Sequence, residues 1–329
     1  MDTEFSIDFP RAYPDLGISG AFRSCPEDFV VNEVLGFEPS GEGEHVLLHI
    51  RKVGQNTHWV AQQLAQQCGL DNKAVGYCGR KDRHAVTQQW FSLYDPHRSV
   101  EQKNIAIEGV SILDTARHIR KLRPGDHAAN QFEIRLRHLQ YHDNQQALTS
   151  SECAALAPKI IERLQQGVPN YFGSQRFGRE LSNLYAAHAW LVDKKPPPRA
   201  RKSMVMSAAR AYLFNQVLAR RVREQSWQQS LAGDALLNNQ PTAPLWGRGR
   251  LLTQDTVLNL ESEVLAAFKQ WCHGLEHCGL KQERRCLSLL PRSLNVECQN
   301  SDVVLHFSLP AGTFATSVLA EIASLRDAD

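Results

Sequence analysis

The sequence predicts an α+β protein in which a mainly helical α+β segment interrupts a strand-rich one. Three observations support this class. Residues 22–138 contain short β-rich runs, whereas residues 151–282 show helical patterns separated by breaks rich in proline and glycine. Strand-like alternation then returns after Pro291. We therefore expect the final segment to pair back onto the first one, with the helical segment as an insertion.

The strand-rich segment is predicted to contain one helix among its strands. Apolar residues at three- and four-residue spacing indicate a helix from Thr57 to Cys68, with Asn56 as its amino-terminal cap and Gly69 as its terminator. The β-rich runs are Phe29 to Val34, His45 to Val53, Trp90 to Tyr94, Ile105 to Leu113 and Phe132 to Leu136.

The later part of the chain is predicted to be helical until it nears its end. Breaks between the helices are marked by Gly167, the three prolines at 196–198 and the run from Pro241 to Gly249. A β-like run from Val303 to Ser308 and a final helix after Thr313 follow them. The helical patterns are Ser151 to Gln166, Ser182 to Val192, Ser203 to Gln225 and Thr256 to Cys272.

The composition is that of an ordinary folded protein. Of the 329 residues, 42% are hydrophobic and 22% are charged, which excludes a disordered or collagen-like chain. The amino terminus is acidic where a secretory signal is basic, and no run approaches the roughly 18 apolar residues of a membrane span. We therefore expect a cytoplasmic protein without membrane association. The eight cysteines show no Cys-x-x-Cys spacing and are expected to be reduced thiols.

The net charge of +2 conceals a gradient along the chain. Residues 1–44 carry a net charge of −8, and the remainder of the chain sums to +10. Nine lysines and arginines lie within residues 194–223, which contain no Asp or Glu. A polyanionic partner such as nucleic acid requires clusters of this kind, because neutralised phosphates release counterions. Such clusters also occur as solvated surfaces, so the charge pattern alone leaves both interpretations open.

One cluster contains the residue types that zinc prefers. Cys272-His273, His277-Cys278 and Cys286 supply sulfur and imidazole at short spacing. Both Cys-His pairs lie on one stretch predicted to be helical, and no second module completes a tetrahedral site. We interpret this cluster as a helix end with two histidines near the surface, and we expect no metal.

Several enzyme classes lose support because their motifs are missing. No Gly-x-x-x-x-Gly-Lys-Ser/Thr or Gly-x-Gly-x-x-Gly sequence occurs, which argues against kinase and dehydrogenase chemistry. The Gly-x-Ser-x-Gly elbow of serine hydrolases is also missing.

Asp82 lies in the most unusual string of the chain, from Gly76 to Trp90, next to Lys81, Arg83 and His84. Positive charge within a few ångströms keeps a carboxylate ionised at neutral pH. An ionised and positioned Asp can act as a nucleophile or a base. The same pattern also fits a surface turn with a salt-bridged Asp, and the string alone does not decide between the two.

A second group of residues is suited to contacting a nucleobase. Asn130 lies two residues before Phe132 in a β-like run, Phe29 lies in another, and Phe314 follows the last strand. Amide groups hydrogen-bond to base edges, and aromatic rings stack on bases. A phenylalanine in a β-like run is more commonly a core residue, so both roles stay open. Residues 167–178, rich in Gly and aromatic residues, suit a loop that closes on a ligand or a domain junction.

Six strings, taken together, carry a family signature. They are Pro26 to Val31, Gly79 to Trp90, Arg117 to Arg123, Gly167 to Gly178, Ser207 to Arg210 with Phe214-Asn215, and Leu309 to Val318. Their combination closely resembles the TruD family of tRNA pseudouridine synthases. The matches run in one order from residue 22 to 322, and several long motifs in order are far more specific than any one of them.

The resemblance implies an α+β pseudouridine synthase core with a mixed or antiparallel sheet, assembled from both ends of the chain. Residues 1–154 and 291–329 would form this catalytic domain. Residues 155–290 would form a mainly helical insertion domain, with the RNA in the basic cleft between the two. The family isomerises uridine to pseudouridine at position 13 of tRNA, in the D arm, without a metal or an organic cofactor.

The same resemblance assigns roles to individual residues. Asp82 matches the catalytic nucleophile of the family. In the mechanism that follows from this role, Phe132 or Phe314 stacks on the base. Arg23 stands where the family has a lysine near the nucleophile, which retains the positive charge with a different geometry. The residues that match substrate-contacting positions are Phe29, Asn130 and Phe314.

Two alternatives to a tRNA pseudouridine synthase stay open. One is a protein that binds RNA, or acts as an RNA chaperone, through the same basic cleft without chemistry. The other is a different Asp-dependent enzyme acting on RNA, such as a base hydrolase. The intact Asp82 and substrate positions argue against the first, and only product analysis separates the second. For the synthase we expect a monomer, with tRNA as its partner.

Overall fold

A computed structural model describes residues 4–100 and 103–327. The chain forms two compact units. The first, termed the sheet unit, comprises Leu16–Gln165, Pro291–Gly312 and Ala323–Asp329. The second, termed the helical unit, comprises Met1–Asp15, Gln166–Leu290 and Thr313–Ile322. Within the described ranges, no helix combines the length and the apolar character needed to cross a membrane.

Strands and helices are numbered separately in chain order. The strands are β1 (Ile18–Phe22), β2 (Phe29–Leu35), β3 (His45–Val53), β4 (Val75–Tyr77), β5 (Val86–Tyr94), β6 (Val110–His118), β7 (His127–Tyr141), β8 (Val168–Pro169), β9 (Leu236–Leu237), β10 (Gln240–Leu245), β11 (Glu283–Cys286), β12 (Ser288–Leu289), β13 (Arg292–Gln299), β14 (Asp302–Pro310) and β15 (Ser324–Asp327). The helices are α1 (Thr57–Cys68), α2 (Ser150–Gln165), α3 (Ser182–Leu191), α4 (Arg199–Arg223), α5 (Asp255–Leu265), α6 (Lys269–Glu276) and α7 (Ala315–Ala320).

The sheet unit is built on one mixed sheet with the strand order β13-β14-β7-β2-β5-β3-β6. β2 and β5 run parallel, whereas β7 is antiparallel to both β2 and β14. β1 pairs with β7 and β15, and β4 pairs with β5. Because β13, β14 and β15 come from the end of the chain, the sheet joins both chain ends, as the return of strand character after Pro291 predicts. This mixed sheet with its helices confirms the predicted α+β class.

Helix α1 begins and ends where the sequence predicts. The Asn56 side chain accepts a hydrogen bond from the backbone N–H of His58 at 2.8 Å, which caps the helix. Gly69 has a φ of 68°, a left-handed conformation that ends the helix without a Cβ clash. Val60 and Leu64, both buried, pack with apolar residues of β3 and β5. This packing fixes Thr57, the first residue of α1, against the sheet.

Helix α4 forms the centre of the helical unit. About half of its residues are buried, so neighbouring elements cover it on several sides. α3, α5 and β10 pack against it, and β10 lies between β9 and β11 in a small antiparallel sheet. Phe5 packs its ring 5.6 Å from Tyr212 and 5.5 Å from Trp271. These contacts explain why the amino-terminal residues fold with the helical unit.

Two predicted elements need correction. The run predicted from Ile105 to Leu113 is replaced by β6, which begins at Val110 and ends at His118. Residues 111–115 of β6 are exposed, so the apolar alternation that indicates a strand is missing there, and pairing with β3 defines it instead. The single helix predicted from Thr256 to Cys272 is divided into α5 and α6 by a 3-10 turn at Ala266–Phe268.

The spatial units and the predicted domain limits differ in three places. The limit expected after residue 154 falls within α2, which belongs to the sheet unit as far as Gln165. Residues 4–15 and 313–322, expected in the catalytic domain, fold with the helical unit. The limit between residues 290 and 291 coincides with a unit boundary.

Candidate active site

Asp82 lies in the loop that joins β4 to β5, here termed the Asp82 loop (residues 79–85). The loop leads into β5, which pairs with β2 in the middle of the sheet. Asp82 Oδ1 accepts a hydrogen bond from the backbone N–H of His84 at 3.0 Å, and this local turn orients the carboxylate. The Asp82 side chain is 22% exposed, so a substrate can reach it.

Arg23 supplies the positive charge next to Asp82. Its Nη1 atom lies 2.6 Å from Asp82 Oδ2, and its side chain is only 11% exposed. Its guanidinium also lies over two rings, 4.5 Å from the centre of Phe22 and 5.7 Å from that of Phe29. Arg23 has a φ of 59°, a left-handed conformation that costs a non-glycine residue about 1 kcal/mol or more. The structure therefore brings two predicted site residues into direct contact through a strained backbone.

Lys52 anchors the backbone of the Asp82 loop. This residue of β3 is fully buried, and its Nζ atom donates hydrogen bonds to the carbonyl oxygens of Asp82 at 3.1 Å and Gln55 at 2.7 Å. Burial lowers the pKa of Lys52 to about 8, against the opposing attraction of the Asp82 carboxylate. A buried amine requires hydrogen-bond acceptors, and one of the two acceptors of Lys52 is a carbonyl oxygen of the loop.

Thr57 and Gln89 fix the loop on the other side. Thr57 Oγ1 accepts a hydrogen bond from the Lys81 backbone N–H at 2.9 Å and donates to Gln89 Oε1 at 2.9 Å. Gln89 Nε2 in turn donates to the Gly79 carbonyl oxygen at 3.2 Å. Both side chains are buried, so water does not compete for these bonds. The first turn of α1 and the strand β5 thus hold the loop in one conformation.

A buried ion pair lies beside the loop. Lys81 Nζ lies 2.5 Å from Glu33 Oε2, and the two side chains are 7% and 0% exposed. The other carboxylate oxygen of Glu33 accepts a hydrogen bond from the Trp90 backbone N–H at 3.1 Å. Lys81, the sequence neighbour of Asp82, is thus paired with Glu33, whereas Arg23 contacts the Asp82 carboxylate.

Asn130 lies on β7, opposite Glu33 of β2 and Leu309 of β14. Its Nδ2 atom lies 3.3 Å from His127 Nε2. Burial lowers the pKa of His127, and the charge of Lys81 adds to the effect, so the ring is neutral at pH 7 and can accept this hydrogen bond. Asn130 Oδ1 is buried and has no hydrogen-bond partner among the described residues. A buried polar atom of this kind costs about 1–3 kcal/mol and suits a position where a ligand supplies the partner.

Three phenylalanine rings form a row across β2, β7 and β14. Phe132 meets the ring of Phe29 edge to face at 6.0 Å and stacks on Phe307 at 5.3 Å. Phe29 is 7% exposed and Phe307 is 2% exposed, which makes both part of the core. Phe132 is partly exposed and retains ring surface for another partner. The packing thus supports a core role for Phe29, whose predicted substrate contact stays a prediction.

Phe314 belongs to the helical unit, where it precedes the first residue of α7. Its ring is partly exposed and lies 5.6 Å from that of Phe172. The other predicted site residues lie in the sheet unit and are Arg23, Phe29, Asp82, Asn130 and Phe132.

One group of described residues has the spacing of a metal site. The ligand atoms of Glu33, Cys78 and His127 lie within 4.8 Å of one another. Burial raises the pKa of the Cys78 thiol to about 12, so the thiol is protonated, and Lys81 already neutralises Glu33. Glu33 is thus already paired within the sheet unit, and the three side chains form a buried polar cluster.

The carboxyl-terminal cluster of cysteines and histidines is the other candidate metal site. Burial raises the pKa of the Cys272 thiol to about 12, and His277 Nδ1 lies 2.8 Å from the carbonyl oxygen of His273. In the part of the chain that the structure describes, these residues form no group with metal-ligand spacing.

The residues that hold the Asp82 loop were not predicted from the sequence. Lys52 and Glu33 could have been recognised in the sequence, because each is a charged residue at a position on the buried side of a strand. Glu33 continues the inward series Phe29 and Val31, and Lys52 follows Ile50 in the same way. A charge at such a position predicts a buried partner.

A family model described as tRNA pseudouridine synthase D (TruD) matches residues 12–200 and 237–322. The chain belongs to the TruD family. The family resemblance read from the six strings is thereby confirmed, and the matched TruD region includes the Asp82 loop, Asn130 and Phe314.

TruD proteins are similar to this chain over nearly its whole length. The tRNA pseudouridine synthase D of Cellvibrio japonicus is 48% identical over 333 residues, covering 99% of this chain and 96% of that protein. The tRNA pseudouridine synthase D of Aeromonas hydrophila is 40% identical over 335 residues, covering 94% and 92%. A crystal structure assigned as TruD from Methanosarcina mazei matches with a TM-score of 0.70 at 20% identity, over 95% of both chains, and supports the fold.

Proposed function

We propose that this chain converts uridine to pseudouridine at position 13 of tRNA, in the D arm, with Asp82 as the nucleophile. Membership of the TruD family supports the isomerisation and the tRNA substrate. The observation that carries the residue assignment is the 2.6 Å contact between Arg23 and Asp82 on a loop held by buried hydrogen bonds. A carboxylate that is fixed in orientation and still 22% exposed is suited to nucleophilic attack.

The reaction requires that the target base leave its stack. A uridine inside folded tRNA must be extruded before Asp82 can reach it, at a cost of about a few kcal/mol that phosphate contacts and stacking offset. Asp82 then attacks either the base or the anomeric carbon C1′ of the ribose. In both courses the C1′–N1 bond breaks, the uracil turns and a C1′–C5 bond forms.

The atoms balance without a co-reactant. The C5 hydrogen leaves as a proton, N1 gains a proton, and the Asp82 carboxylate is released at the end. Nothing is oxidised or reduced, because the product is an isomer of the substrate. This chemistry agrees with the expectation of an enzyme that uses neither a metal nor an organic cofactor.

Other predicted site residues support the nucleophile. Asn130 offers its amide to the polar edge of the uracil, which would give the buried Oδ1 its missing partner. The partly exposed ring of Phe132 stacks on the extruded base, and Arg23 keeps Asp82 anionic. Phe29 and Phe314 are assigned to further substrate contacts by the family motif.

We also propose that the enzyme works in the cytoplasm as a monomer. Light scattering of the purified protein, alone and with tRNA, tests whether the enzyme is a monomer. A monomer gives one mass that does not change with protein concentration, whereas a dimer in dilute solution would contradict it.

The product and its position can be tested together with transcribed tRNA tritiated at uracil C5. Isomerisation at position 13 should release one tritium per tRNA into water, and a transcript with cytidine at position 13 should release none. Tritium release from the transcript with cytidine at position 13 would show that the modified uridine lies elsewhere in the tRNA. Tight binding without release would favour the RNA-binding protein without chemistry, and free uracil in place of pseudouridine would favour the base hydrolase.

A further inference from the structure

The helical unit contains a cluster of guanidinium groups and aromatic rings that shares only Phe314 with the predicted site residues. Its members, here termed the Arg–Phe cluster, are Arg176, Arg285, Phe172, Phe214 and Phe314. The Phe172 ring lies at its centre, 5.5 Å from Phe214 and 5.6 Å from Phe314. The Arg285 guanidinium carbon lies 4.2 Å from the centre of the Phe172 ring. That of Arg176 lies 5.6 Å from both the Phe172 and Phe314 ring centres.

Buried hydrogen bonds hold the centre of the cluster in place. The fully buried Asn215 accepts from the backbone N–H of Phe172 at 2.9 Å and donates to its carbonyl oxygen at 3.0 Å. Arg285 donates from Nε and Nη2 to the backbone and side-chain oxygens of Asn170, at 3.3 and 2.5 Å. The cluster is therefore organised before any ligand arrives, which reduces the entropy that binding must overcome.

Arg176 carries a positive charge without an anionic partner among the described residues. Its Nη1 atom donates to Ser207 Oγ at 3.2 Å, and its buried Nε atom has no hydrogen-bond partner in the described ranges. Burial lowers the pKa of Arg176, and no opposing attraction raises it. Arginine stays protonated at neutral pH even so, and a partly desolvated charge of this kind is stabilised by an anion.

The surroundings strengthen the preference for an anion. Burial and the neighbouring charge of Arg176 lower the pKa of Arg285 to about 10. Helix α4, which carries Ser207, contains several arginines and a lysine but no Asp or Glu. Arg176 is itself partly exposed and follows the exposed Ser174 and Gln175, so a ligand from solvent can approach it.

We propose that Arg176 binds one phosphate group of the tRNA backbone, an inference that rests on the proposed function above. Guanidinium N–H groups form charge-assisted hydrogen bonds to phosphate oxygens; Nε of Arg176 is buried and Nη1 is engaged by Ser207, which leaves Nη2 to face a phosphate. The partly exposed ring of Phe314 offers a face on which a neighbouring base can stack. A phosphate of the nucleic acid would thus supply Arg176 with the anionic partner that it does not have among the described residues.

Salt dependence separates a phosphate contact from a structural role. We would measure the dissociation constant of tRNA for the wild type and for Arg176→Gln over a series of salt concentrations. Loss of one phosphate contact should weaken binding roughly 10-fold at low salt and reduce the slope of log affinity against log salt by about 0.7–0.9. Arg176→Lys, which retains the charge, should restore the slope.

Arg11→Gln is the matched control, because it removes the same charge from the helical unit at a residue that is paired with Asp15 and lies outside the basic segment 194–223. Its slope should equal that of the wild type. A wild-type slope for folded Arg176→Gln would overturn the proposal. If that variant does not fold, the wild-type arginines can be modified with phenylglyoxal instead, and bound tRNA should protect Arg176 far more than Arg11. Equal protection of the two would also overturn it.

The outcomes distinguish this inference from the proposed function. A wild-type enzyme that releases tritium from tRNA, combined with an unchanged slope for Arg176→Gln, would refute the phosphate site and leave the activity standing. A wild-type protein that binds tRNA with the Arg176-dependent slope but releases no tritium would refute the activity and leave the phosphate site standing.

Discussion

The ion pair between Glu33 and Lys81 offers a quantitative test of how the Asp82 loop is held. Its atoms lie 2.5 Å apart, and the side chains are 0% and 7% exposed. Glu33→Gln removes the negative charge, keeps the size of the side chain and leaves an acceptor for the Trp90 N–H. The perturbation is therefore confined to the charge, and the Lys81 ammonium stays in a site that excludes water.

The expected cost follows from this burial. Removing one partner of a buried pair costs about 3–5 kcal/mol, because the other charge stays desolvated. This is a large part of the roughly 5–15 kcal/mol that stabilises a typical domain. Lys81→Met should cost a similar amount, since it leaves the Glu33 carboxylate buried. The double variant leaves no unpaired charge, so we expect it to be more stable than the two single losses imply, by about 2 kcal/mol or more.

Urea unfolding of the four proteins, followed by circular dichroism, measures these free energies. The coupling energy is the difference between the loss of the double variant and the sum of the single losses. Additive losses, within about 0.5 kcal/mol, would refute the buried pair. Glu38→Gln is a suitable control, because Glu38 is exposed and should change the free energy of unfolding by less than about 0.5 kcal/mol.

Two further predictions concern Lys52 and Phe132. The pKa of Lys52 falls from 10.5 to about 8, so between these values the folded protein releases a proton that the unfolded chain keeps. The free energy of unfolding of the wild type, relative to Lys52→Met, should therefore rise from pH 8 to pH 10.5, and a constant difference in urea titrations would contradict the lowered pKa. Phe132→Ala should reduce kcat more than it weakens tRNA binding, and a loss confined to the free energy of unfolding would show that the ring serves the core alone.

Elements with local signals could be predicted closely. The bounds of α1 follow from the cap at Asn56 and the left-handed Gly69, both of which act within one turn of the helix. The strand β3 was likewise predicted from its own residues, from His45 to Val53. β6 was misplaced because its exposed residues give no apolar alternation, and β1 and β15 were missed because only their pairing with each other and with β7 defines them.

The residues of the candidate site could likewise be predicted only where the signal is local in the sequence. The family motif identified Asp82, and the charges near it in sequence indicated an ionised carboxylate. The family motif did not reveal that Lys81 pairs with Glu33, because the two residues are 48 positions apart in the chain. The anchoring of the loop by Lys52 depends in the same way on the alignment of β3 against β5. Contacts between distant segments require the sheet to be assembled, and the sequence alone does not specify that register.

The most direct test of the account is tritium release by Asp82→Asn under single-turnover conditions. The substitution keeps the size of the side chain and removes the charge that attacks, so the variant should bind tRNA with an affinity close to that of the wild type and release no tritium. Asp114→Asn, at an exposed residue of β6, should release tritium at the wild-type rate. Release by Asp82→Asn at a rate near that of the wild type would contradict the assignment of Asp82 as the nucleophile.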